Sequence, residues 1–71
     1  MQFDYSKLLG RIKECRMTQD DLARAIEINP TTLSLKVNNR AFFSQIEIAK
    51  ICALLKIPND EIGLYFFCPN S

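Results

Sequence analysis

Residues 18–38 read Thr-Gln-Asp-Asp-Leu-Ala-Arg-Ala-Ile-Glu-Ile-Asn-Pro-Thr-Thr-Leu-Ser-Leu-Lys-Val-Asn, and no other stretch constrains the fold as tightly. Thr18 is a good N-cap, and Asp20 and Asp21 fall in the first turn, where the helix dipole favours negative charge. Leu22, Ala23 and Ile26 then recur at helical spacing on one face. After Glu27 and Ile28 a second start signal follows at once. Asn29 can cap, and Pro30 takes the first helical position, where its missing N–H costs nothing. Leu33 and Val37, four apart, give this second helix an inward face. Two capped helices, a small Ala23 where they must approach and a three-residue turn make a helix-turn-helix.

The flanks carry helical signals of their own. A first helix is expected from Asp4 or Ser6 to about Arg16, with Leu8, Leu9, Ile12, Cys15 and Met17 as its apolar stripe. Gly10 sits inside it at a cost of about 1 kcal/mol relative to Ala, as if to let another element approach. Asn38-Asn39-Arg40 ends the second motif helix, because Asn tolerates the left-handed cap geometry. Ser44 and Glu47 form a capping box that opens a helix from Gln45 to Leu55, with Ile48, Ile51, Cys52 and Leu55 on one side. After Pro58 a last short helix, Asp60 to about Phe66, carries Ile62. The expectation is one all-α domain over residues 1–71, five helices with the motif at 18–38. Its expected core is Leu8, Ile12, Leu22, Ala23, Ile26, Ile28, Leu33, Val37, Ala49, Cys52 and Ile62.

Composition narrows the function. A chain of 71 residues can bury only about 60% of its unfolded surface, so it has little stability to spare. No apolar run is long enough to span a membrane, and the N-terminus lacks the basic-then-apolar layout of a signal peptide, which implies a cytoplasmic protein. Three scattered cysteines, no Cys-x-x-Cys pair and no His leave no metal-ligand pattern. Nothing resembles a phosphate loop or a catalytic constellation, so neither an enzyme, a cofactor nor a small-molecule substrate is expected. Net charge is only +1, but it is unevenly spread. Lys7, Arg11, Lys13 and Arg16 face a single Glu14 in residues 5–16, Lys36 and Arg40 lie at the end of the motif, and the only charges after residue 58 are Asp60 and Glu61.

Thr18-Gln19, Leu22-Ala23, Ile26, Ile28 and Leu33 match the pattern of Cro and phage-repressor helix-turn-helix proteins, the lambda-repressor-like or XRE class. Thr-Leu-Ser-Leu-Lys-Val-Asn-Asn in the middle and Tyr-Phe-Phe near the end further resemble small phage and prophage regulators. The resemblance covers about residues 4–67. It implies a sequence-specific regulator, Cro-like in layout, that binds a pseudo-palindromic double-stranded operator as a homodimer. Three positions depart from the family's pattern. Glu27 stands where the turn usually has Gly, Pro30 where a polar reader is usual, and Lys36 where an apolar residue is usual. Glu27 implies either a different turn or about 1 kcal/mol of strain, and Lys36 is expected to lay its stem along the core edge with its ammonium in water.

With Leu33 and Val37 inward, Thr31, Leu35 and Asn38 point the other way, flanked by Thr32 and Ser34. The resemblance puts base-reading positions on Pro30, Thr31, Ser34 and Leu35, where Leu35 could meet only a thymine methyl. It puts backbone contacts on Gln19, Thr32, Asn38, Asn39, Arg40 and Ser44. Tyr65, Phe66 and Phe67 are the expected dimer interface, unless Phe66 folds back onto its own core. The alternative reading is an antitoxin or adaptor, a protein-interaction module on the same fold.

Overall fold

The computed structural model describes residues 2–69. The residues 1, 70 and 71 of the expected 1–71 domain lie outside the described residues. Five α-helices follow one another: α1 (Ser6–Glu14), α2 (Gln19–Ala25), α3 (Pro30–Val37), α4 (Gln45–Leu55) and α5 (Ile62–Phe66), the last preceded by a 3₁₀ turn at Asn59–Glu61. Among the described residues there is no strand, only an isolated antiparallel bridge between Phe3 and Pro69. No described helix is long and apolar enough to cross a membrane.

The local signals act where they stand in the sequence. The Thr18 hydroxyl accepts from the Asp21 N–H at 3.1 Å while the Asp21 carboxylate accepts from the Thr18 N–H at 2.9 Å. These bonds hold the Asp21 carboxyl below its ordinary range. Asn29 accepts from the Thr31 N–H at 2.8 Å behind Pro30, and Ser44 and Glu47 close the second capping box. At α1 the cap falls to Asp4, which accepts both the N–H and the hydroxyl of Ser6.

The helix ends share a device that composition hides. Arg16, Glu27, Asn39 and Lys56 all have left-handed backbone, φ 56–64°, where glycine is the easy choice. In each case the next residue's N–H reaches back five positions: Met17 to Ile12, Ile28 to Ala23, Arg40 to Leu35 and Ile57 to Cys52. Glu27 therefore builds the usual glycine turn and carries its strain, about 1 kcal/mol.

The core joins Leu8 and Ile12 of α1, Leu22, Ala23 and Ile26 around α2, Leu33 and Val37 of α3, and Ile51, Cys52 and Leu55 of α4. α2 packs on α3 and α1 on α5. Ile28 and Ile62 are only half-buried, and Ala49 is exposed because α4 turns Ile51, Cys52 and Leu55 inward and Ala49 away. Gly10 serves no close approach, since a side chain there would meet open space.

At the C-terminus the fold-back alternative holds for Phe66, and Tyr65, expected at a dimer interface, is corrected with it. Tyr65 and Phe66 are 9% and 2% exposed and belong to the chain's own core. A small domain needs its aromatics inside. Phe43 stands edge-on to both Tyr5 and Phe66, with centroids 5.4 and 5.3 Å away. Only Phe67 stays half out, edge-on to Phe3 at 5.9 Å.

Candidate nucleic-acid interface

Helix α3 is short, capped at both ends and pinned by Leu33, fully buried against α2. Rotation by 100° per residue then turns Thr31 and Leu35 outward, and both are exposed, as is Pro30 at the first helical position. Leu35, 42% exposed, is an apolar side chain on the water-facing stripe. Thr32 and Ser34 flank it half-buried. Thr31 and Leu35 are thus exposed and Leu33 and Val37 buried, as the spacing predicts.

The next seven residues are spent differently. Asn38 donates its amide to the Ser34 carbonyl at 2.8 Å and the Ser34 hydroxyl at 3.3 Å, closing the end of its own helix. The Asn39 carbonyl oxygen accepts from the Phe3 N–H, and its amide donates to the Phe3 carbonyl, both at 2.8 Å. With both ends of its amide used on the N-terminal segment, the Asn39 side chain is a brace rather than a free contact. Ser44 accepts the Glu47 N–H and keeps its hydroxyl proton to give. Arg40 is exposed, and among the described residues it forms no ion pair.

Lys36 departs most from expectation. Its side chain is folded in, 9% of the residue exposed, and the ammonium donates to the Phe42 carbonyl and the Glu47 carboxylate, each at 2.8 Å. It also stands 5.9 Å from the centre of the Phe43 ring. Burial alone would raise the Glu47 carboxyl, but bonds from Lys36 and the Ser44 N–H outweigh it and hold the carboxyl below its ordinary value. One ammonium thus ties the end of α3, the connection and the start of α4 together. The sequence clue was Glu47, whose capping-box carboxylate offers a cation a fixed partner.

Gln19 is half-buried on the rim of a shallow groove between α1 and the start of α2, beside Leu9, Lys13 and Asp20. Two exposed acids, Asp20 and Asp21, follow it directly. The cations of α1 are partly committed. Arg11 Nε donates to the Leu55 carbonyl at 3.0 Å, closing the end of α4, and Lys7 lies 5.3 Å from the Tyr65 ring centre. Lys13 and, just beyond α1, Arg16 remain exposed. Cys15, Cys52 and Cys68 are free thiols, and burial pushes the Cys52 thiol up. Among the described residues no three His, Cys, Asp or Glu gather as metal ligands would.

The chain belongs to the family described as "Protein of unknown function (DUF739)", whose profile matches residues 1–69. It is similar in structure to the modulator of repression (MOR) of the temperate bacteriophage TP901-1 from Lactococcus lactis, solved in solution. The TM-score is 0.79 and the identity 39%, over 94% of this chain and 90% of that one. No curated protein matches the sequence.

Proposed function

We propose that this chain is a double-stranded-DNA-binding regulator of a temperate phage or prophage, with α2–α3 as a Cro- or phage-repressor-type helix-turn-helix. The observation that carries the reading is the outer face of α3, a capped helix whose Pro30, Thr31 and Leu35 are exposed, next to Arg40, which has no ion pair among the described residues. Likeness to a phage modulator of repression supports the regulatory part.

In the major groove, the Thr31 hydroxyl reaches a base edge or phosphate, Leu35 meets a thymine methyl, and the Pro30 ring adds an apolar contact. Ser34 has a hydroxyl proton left for a base, because it accepts rather than donates toward Asn38. Hydrogen-bonded readout is thin, so DNA shape supplies part of the specificity. Arg40, with Gln19, Thr32 and the Ser44 hydroxyl at the margins, positions the duplex, while the Asn38 amide stays on Ser34. The protein acts by binding alone, in the cytoplasm, with no cofactor. A homodimer on a pseudo-palindrome would place its two reading helices ~34 Å apart. With Tyr65 and Phe66 buried, a C-terminal dimer contact rests on Leu64 and Phe67, each 52% exposed.

The antitoxin or adaptor reading draws on the net charge of only +1. Retention on duplex DNA separates the two. A DNA reader elutes earlier as salt rises, and its observed affinity falls linearly in log–log form. Selection from a random duplex pool should return a two-fold-related motif. Salt-independent or absent retention supports the adaptor.

A further inference from the structure

The connection after α3 puts two adjacent phenylalanines to opposite uses. Phe43 packs inward against Tyr5 and Phe66. Phe42 points out and is 79% exposed, more than any other large apolar side chain among the described residues. Its main chain is nevertheless pinned, for its carbonyl accepts from Lys36 Nζ at 2.8 Å. Ile46 follows in the first turn of α4, 69% exposed, with its backbone held by the Ser44–Glu47 box. Two bulky apolar side chains are thus held in water on an ordered backbone, where much of the cost of ordering for a partner is already met. One turn beyond Ile46 lie Ala49, small and exposed, and Lys50.

Charge says what kind of partner fits. Between residues 38 and 50 the exposed charges are Arg40 and Lys50, and the one acid, Glu47, is neutralised by Lys36. The geometry points to Phe42 and Ile46 as the apolar anchor for an acidic amphipathic segment of a different protein, with Arg40 and Lys50 as its flanking cations. A second copy of this chain fits badly. Two-fold pairing would set these cations against their own counterparts, and two side chains fall far short of the roughly 800 Å² per partner of a standing interface. Duplex DNA also fits badly, since the Phe42 and Ile46 side chains offer phosphates nothing. The site shares Arg40 with the duplex contact proposed above, while its apolar anchor, Phe42 and Ile46, lies off the outer face of α3.

The test titrates the ¹⁵N-labelled full chain with a synthetic helical peptide of Leu-Glu-Glu-Leu repeats, and with the same peptide carrying Lys for Glu. Amide shifts should gather on residues 40–50 with the acidic peptide and be absent with the basic one. Phe42→Ser and Ile46→Ser should each weaken binding at least tenfold and leave the melting temperature nearly unchanged, as exposed sites do. Arg40→Glu combined with Lys50→Glu should reverse the charge preference. Shifts elsewhere, equal response to both peptides, or no response at millimolar peptide overturns the proposal. So does a Phe42→Ser variant that loses duplex DNA retention or dissolves a dimer in sedimentation, because the anchor would then serve DNA or self-assembly.

Discussion

The outer face of α3 and the connection that follows it, residues 38–44, are neighbours in the chain with opposite occupations. On α3, Thr31 and Leu35 point out with no partner among the described residues. In the connection, Asn38 closes its own helix, Asn39 braces Phe3, Ser44 caps α4, and the Phe42 carbonyl holds Lys36. An exposed polar residue is a candidate contact only to the extent that its donors and acceptors are still unspent. By that measure the outer face of α3 is free and the loop beside it is largely structural, with Arg40 and the Ser44 hydroxyl proton the exceptions.

The contrast can be broken by substitutions that should act on stability in one region and on binding in the other. The largest effect belongs to Lys36→Ala, which strands the Glu47 carboxylate and the Phe42 carbonyl and should cost about 3 kcal/mol in a chemical melt. Acid should expose the same link. The folded Glu47 carboxyl lies below its unfolded value, so its contribution is complete above the ordinary glutamate range and fades as pH falls through the folded value. Asp4 and Asp21 are shifted in the same direction, so Glu47→Gln should flatten the loss of melting temperature in acid without abolishing it.

Asn39→Ala comes next. It removes both bonds to Phe3, 36 residues away, and puts alanine at φ 64°, so about 2 kcal/mol should be lost. An Asn39→Ala variant as stable as the parent would return that side chain to the list of free contacts. The smallest effect has the other sign. Glu27→Gly relieves a left-handed backbone in the turn before α3 and should raise stability by up to about 1 kcal/mol, read as a higher melting temperature. A drop instead would mean that the Glu27 side chain has a partner.

These cases also show what can be read from a sequence. The caps at Thr18, Asn29 and Ser44, and the face of α3, are legible because their causes lie within four residues. The strain at Glu27 is legible as a residue standing where glycine belongs. The inward turn of Lys36 is not, because its partners lie six and eleven residues on and meet it only once α4 has packed. Nor is the bracing by Asn39, whose partner is at the other end of the chain. Tyr65 misleads, and Phe66 stays open between two readings, for a different reason. A helix of five residues is too short to show a period, and nothing in Tyr-Phe-Phe says which ring goes inside.

The most direct measurement sets Leu35→Ala beside Arg40→Ala on a selected duplex and on random duplex, with a thermal melt of each. If α3 reads DNA, Leu35→Ala melts like the parent, loses roughly 1–2 kcal/mol on the selected duplex and relaxes one A·T preference. Arg40→Ala weakens binding to both duplexes alike and lowers the salt slope by about one unit. A Leu35→Ala variant that melts normally and binds the selected duplex as tightly as the parent would contradict DNA reading by α3.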